Sequence, residues 1–105
     1  MKLVKFLGDS RDVLRSFPEA PRHDLGTQLG RVQRGEEPAS WKPMKTIGPG
    51  VRELRVRDET GAFRLIYTIN IGEYVYVLHV FQKKSQATPR RDIELARARY
   101  RMLTG

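Results

Sequence analysis

Gly61-Ala62-Phe63-Arg64-Leu65-Ile66-Tyr67 and Leu78-His79-Val80-Phe81-Gln82-Lys83-Lys84 decide how this chain folds. Each alternates apolar side chains with Arg, His or Lys, and side chains along a β-strand point to opposite faces with a period of two. The alternation predicts a sheet with one apolar face and one face that carries cations. A cationic sheet face on a small basic protein suits phosphate binding, with RNA the first candidate.

Turn chemistry sets the expected register. Gly72-Glu73 reads as a two-residue hairpin loop, with Gly where a type II′ turn needs it. That loop opposes Ile71 to Tyr74, Ile66 to His79 and Arg64 to Phe81. If Glu59-Thr60 is a second two-residue loop, Arg55 lies opposite Arg64. One face then collects Leu54, Val56, Phe63, Leu65, Tyr67, Ile69, Tyr76, Leu78 and Val80, to be covered by helices. The other collects Glu53, Arg55, Arg57, Arg64, Ile66, His79, Phe81 and Lys83. Opposed residues sit about 5 Å apart, so Arg55 and Arg64 repel unless an anion lies between them.

The remaining elements follow from caps and periodicity. Residues 2–7 read as a strand, and Asp9 or Ser10 can cap a short helix to Phe17 that Pro18 and Pro21 stop. A second helix from Arg22 to Arg34 places Leu25, Leu29 and Val32 on one side, and Gly35 ends it. Residues 36–50 read as an ordered loop whose Trp41 pins it to the core. Strands at Val51–Asp58, Phe63–Ile71 and Tyr74–Lys83 form an antiparallel meander. Thr88 can cap a last helix, with Pro89 at its first position and Ile93, Ala96, Tyr100 and Leu103 as its stripe. The order is β-α-α-β-β-β-α, an α+β fold with helices on one face of the sheet.

Composition narrows the function. The 105 residues make one domain, residues 1–105, and carry a net charge of +8. Residues 1–50 hold 9 basic and 6 acidic side chains, and residues 51–105 hold 11 and 6, so the charge is no tail. A field of this sign draws in polyanions. The chain has no Cys, which excludes disulfides and thiolate sites and suits a reducing cytoplasm. No apolar run is long enough to span a bilayer, so no membrane association is expected. With His23 and His79 the only histidines, neither a metal site nor a cofactor is expected. No Ser-His-Asp set or phosphate-cradling Gly loop is present. Phe81, if it faces outward, can stack on a base, and a helix or partner covering it is the equal alternative; Lys83-Lys84 at a strand end is usually just solvated, but with Arg64 it can clamp an anion.

Taken over nearly its whole length, the chain resembles the phage-derived, HigB-like branch of the RelE/ParE toxin superfamily. The resemblance is carried by Phe6-Leu7-Gly8-Asp9-Ser10, Gln28-Leu29 with Val32-Gln33-Arg34-Gly35, and Trp41-Lys42-Pro43-Met44. It continues through Ile47-Gly48-Pro49-Gly50-Val51-Arg52-Glu53-Leu54-Arg55, Gly61 to Tyr67, and Leu78 to Pro89. It implies the toxin of a type II toxin–antitoxin pair, a ribosome-dependent mRNA endonuclease restrained by a helix-turn-helix, HigA-like antitoxin in a hetero-oligomeric complex. The same fold hosts ParE-like proteins that bind DNA gyrase without cleaving anything, and a non-toxic nucleic-acid-binding module is a further alternative.

Carried across by position, the resemblance places the basic strand residues on Glu53 and Arg55, the mid-strand Arg on Arg64, and Lys83 where the family has a strand-end Arg. Glu53 stands where RelE has a Lys, and the Tyr that RelE carries early in its last helix has no clear equivalent, since Arg90-Arg91-Asp92 occupies that region. The implied chemistry is metal-free transesterification, in which the ribose 2′-OH attacks the adjacent phosphate. Arg64 and Arg55 would clamp the phosphate, Lys83 would stabilise charge or protonate the leaving oxygen, and Glu53 or His79 would be the base, although a lone His between apolar neighbours is more often structural than catalytic. Lys84, Arg57, Phe81, Lys42 and Lys45 would contact RNA. Because Arg64 is placed mid-strand on the polar face, its truncation is expected to leave the core intact.

Overall fold

The structure, a computed structural model, describes residues 1–84 and 86–105. The elements run β1 (Leu3–Phe6), α1 (Ser10–Ser16), α2 (Glu19–Gln33), β2 (Trp41–Pro43), β3 (Val51–Asp58), β4 (Gly61–Thr68), β5 (Tyr74–Lys83) and α3 (Arg90–Thr104). The strands form one sheet in the order β1-β5-β4-β3-β2, with β1 parallel to β5 and the other pairs antiparallel. The α+β class and the meander of β3, β4 and β5 agree with the sequence.

Local chemistry explains most boundaries. Pro18 occupies the N-cap position of α2 and Pro21 lies in its first turn, where a missing N–H costs nothing, so the helix starts earlier than Arg22. At its other end Gly35 takes a φ of 78°. Glu36 N donates to Arg31 O at 2.9 Å and Gly35 N to Val32 O at 3.0 Å, the pair of bonds that closes a helix over a left-handed residue. The turn between β3 and β4 is the expected two-residue loop, since Asp58 pairs with Gly61 and Arg55 with Arg64.

The β4–β5 hairpin departs from expectation. Ala62 to Ile66 pair with Lys83 to His79 as the turn arithmetic predicts, but Tyr67 then pairs with Val77. Leu78 is the extra residue of a β-bulge, and β4 ends at Thr68, so the connection is longer than Gly72-Glu73. A bulge sends two successive side chains to one face. Leu78 therefore joins His79, and Val75 and Val77 take the places expected of Tyr76 and Leu78.

This shift builds two cores. On one face Leu14 and Phe17 of α1 and Leu25, Leu29 and Val32 of α2 pack on Leu54, Phe63, Leu65, Tyr67 and Val77, with Trp41 against their edge. On the other face Ile66, Leu78 and Phe81 pack with Met44, Ile47, Val51 and Ala96, and with Ile93, Tyr100 and Leu103 of α3. The helices are therefore not confined to one face. Two smaller corrections concern segments expected to be loop and cap. Trp41–Pro43 pairs with β3 as an edge strand. Pro89 holds the N-cap position of α3, because the Thr88 hydroxyl is engaged elsewhere. Among the described residues no helix is long and apolar enough to cross a membrane.

Candidate nucleic-acid interface

Three rows of opposed residues cross the cationic face. Lys42, Glu53, Ile66 and His79 form the first, Arg55, Arg64 and Phe81 the second, and Arg57, Ala62 and Lys83 the third. Helix α3 covers the Ile66, His79 and Phe81 end. The opposite corner stays open as a groove of about 1000 Å³, lined by Arg55, Arg57, Arg64, Lys83 and Lys84 with Ser40, Gln86 and the residues of the β3–β4 turn.

Arg64 is the floor of this groove. It is 5% exposed, its Nη1 donates to Phe63 O at 3.2 Å, and its Nε lies 3.5 Å from Glu53 Oε1. Nε and Oε1 meet as opposite charges without an aligned hydrogen bond. Burial pulls the guanidinium below its usual pKa, as do Arg55 and Arg57, while Glu53 opposes them. It stays charged at any working pH. The Lys83 ammonium is also lowered, first by burial and then by the charges of Arg64, Arg55 and Lys42. Arg55, Arg57, Arg64, Lys83 and Lys84 outnumber the nearby carboxylates of Glu53, Asp58 and Glu59, and such an excess makes a standing anion site.

The two expected bases lie elsewhere. Glu53 is fully buried and does not line the groove; its Oε2 accepts from Thr88 Oγ1 at 3.1 Å. His79 is 6% exposed, and its Nε2 lies 2.6 Å from Asp92 Oδ1. Its Nδ1 faces Arg99 Nη1 at 3.4 Å, and its ring stacks on Phe81 with centroids 5.2 Å apart. Arg99 Nη1 also donates to Leu78 O, the carbonyl at the bulge, at 2.9 Å, and Nη2 donates to Asp9 at 2.9 Å. This network docks α3 onto the sheet and onto the start of α1. His79 is thus a tether for a helix, and Phe81, expected to stack on a base, is 7% exposed in the second core.

Of the remaining expected RNA contacts, Arg57 and Lys84 line the groove. Lys42 lies beside it, opposite Glu53, and Lys45 is exposed in the β2–β3 connection outside the lining. Sequence reasoning missed Thr88, Asp92 and Arg99. The signal for the last two was available: with Ala96 and Leu103 they recur at helical spacing, so a carboxylate and a guanidinium sit on the stripe that packs inward. Among the described residues two acidic side chains reach the groove, Asp58 at the end of β3 and Glu59 in the β3–β4 turn. Asp58 is held low by hydrogen bonds from the Thr60 hydroxyl and amide, whereas Glu59 is exposed on the rim.

Comparison with known proteins fits this architecture. A search of curated protein sequences returns no match. A chain of the E. coli RelBE toxin–antitoxin complex superposes with a TM-score of 0.65 at 17% identity, covering 81% of this chain and 100% of its own. The isolated E. coli RelE toxin superposes with a TM-score of 0.65 at 18% identity, covering 98% of this chain and 100% of its own. The family model "Phage derived protein Gp49-like (DUF891)" matches residues 12–101. The chain belongs to this phage-derived Gp49-like family and has the fold of the RelE toxins.

Proposed function

We propose that this protein is the toxin of a toxin–antitoxin pair and that it cleaves mRNA on the ribosome without a metal. The observation that carries the reading is the groove, where Arg55, Arg57, Arg64 and Lys83 converge on one open corner of the sheet. In this reading Arg64, from below, and Arg55, from the side, hold the scissile phosphate as its charge grows, which Arg does well because its fork can bind two oxygens. Lys83, whose proton is loosened by burial and then by its cationic neighbours, donates to the departing 5′ oxygen. Glu53 and His79 are buried away from the groove, so removal of the 2′-OH proton falls to a group that reaches it; Glu59 is the free carboxylate on the rim. Arg57 and Lys84 extend the cationic track along the RNA backbone. The antitoxin, an HTH protein of the HigA type in this reading, restrains the toxin by neutralising or obstructing that face.

Mapping of mRNA 5′ ends after induced expression tests the proposal. New ends within translated messages, suppressed by co-expression of a neighbouring antitoxin gene, are the expected result. Growth arrest with intact messages and altered plasmid supercoiling would overturn it in favour of a gyrase-binding toxin.

A further inference from the structure

On the nuclease reading above, we infer that Glu53 is a positioning residue for Arg64 and that Thr88 holds Glu53 in place for that task. Glu53 belongs to the strand that supplies Arg55 and Arg57 to the groove, yet it is itself fully buried. A carboxylate taken wholly out of water persists only when its oxygens are matched. Here the two oxygens face different groups: Oε2 takes the Thr88 hydroxyl at 3.1 Å, and Oε1 faces Arg64 Nε at 3.5 Å. Arg64 needs that charge. Arg55 lies directly opposite it in the sheet, and Arg57 and Lys83 flank the same corner, so repulsion alone would turn its guanidinium away. Glu53 behind Nε and Phe63 O under Nη1 hold the guanidinium within the cluster, presented to the groove. Thr88 precedes α3, so the same contact ties the start of that helix to the groove floor.

The inference makes opposite predictions for binding and for chemistry. Glu53→Gln removes a negative charge behind a phosphate site, so affinity for RNA should hold or rise. The cleavage rate should fall, because displacement of a clamp by about 1 Å can cost on the order of 100-fold. Three measurements read this out: binding of a 2′-O-methyl oligoribonucleotide, which cannot cleave itself; single-turnover cleavage on translating ribosomes; and the NMR resonance of Arg64 Nε, which senses a charge beside it, in the free protein. The expected result for Glu53→Gln is binding at least as tight, cleavage slower by roughly 10- to 100-fold, and a displaced Arg64 Nε resonance. Thr88→Val, which keeps shape and removes the donor, should give a smaller loss that disappears when Glu53 is already Gln. Wild-type cleavage by Glu53→Gln, or cleavage and binding lost together in a folded variant, would overturn the inference. If Glu53→Gln fails to fold, Thr88→Val alone decides by the same criteria. If even the wild type cleaves nothing, the nuclease reading fails by itself. The NMR arm then still judges the pairing, and an Arg64 Nε resonance that Glu53→Gln leaves in place would reject it.

Discussion

At one end of the cationic sheet face Ile66, Leu78, His79 and Phe81 are sealed beneath α3, whereas at the other end Arg55, Arg57, Arg64 and Lys83 line an open groove. The border runs within a single row, because Phe81 pairs directly with Arg64. The two ends share strands and differ in backbone pairing at the Leu78 bulge, so the rest of the difference lies in the side chains. Covering Ile66, Leu78 and Phe81 gains about 25 cal/mol for each Å² of apolar surface removed from water. Covering Arg55, Arg57 and Lys83 would strip water from charges that have too few partners. A helix settles where burial is favourable and stops where it is not. His79 is the exception that α3 accommodates, because Asp92 and Arg99 come down with it and satisfy both ring nitrogens.

The sharpest test of this contrast is Arg64, the one groove cation that is itself buried. Arg64→Ala should abolish cleavage, with a loss of about 100- to 1000-fold by analogy with oxyanion donors. It should also destabilise the fold, by about 3–5 kcal/mol, because Glu53 would remain buried without its partner charge. That overturns the expectation of a harmless surface truncation. The double variant Arg64→Gln, Glu53→Gln should recover most of the melting temperature and none of the cleavage. Equal melting of the single and double variants would break the assignment of Glu53 as Arg64's counter-charge.

Leu78→Ala probes the sealed end. Both Leu78 and Leu65 are fully buried, one in each core. Each Ala variant should lose about 2–5 kcal/mol in denaturant unfolding. A Leu78 variant as stable as wild type would mean that α3 is only loosely docked.

His79→Gln comes next. It leaves a carboxylate without its ring partner, for a cost of about 1–3 kcal/mol, while cleavage by the folded protein should stay near wild type. A large loss of rate at unchanged stability would return His79 to the chemistry.

The smallest effect concerns Lys83, whose pKa is lowered by burial and by Arg64, Arg55 and Lys42. The folded protein therefore releases this proton at lower pH than the unfolded chain does. Between those two values the unfolded chain binds more protons, so stability rises with pH across that window, and Lys83→Met should flatten the rise. As the acid of the reaction Lys83 must be protonated, so cleavage should decline as pH climbs through its lowered pKa. Lys83→Arg should remove that alkaline limb, and an unchanged pH profile would exclude Lys83 as the proton donor.

Much was legible before any tertiary contact was known. Period-two alternation marks β3, β4 and β5, the Glu59-Thr60 turn brings Arg55 to Arg64, and the Pro and Gly punctuation bounds the helices. These are local properties, set by backbone geometry and by residues a few positions apart. Three decisions were not local. The bulge at Leu78 depends on how β5 meets both β4 and the bonds that Arg99 makes from a helix 21 residues away. Which half of the polar face α3 covers depends on apolar area and charge summed over elements distant in the chain. Whether Glu53 and His79 meet substrate or meet Thr88 and Asp92 depends on where that helix lands. The sequence by itself determined a basic α+β domain with cations on one sheet face; tertiary packing decided which of them stay open to an anion, because burial rewards apolar surface and penalises unpaired charge.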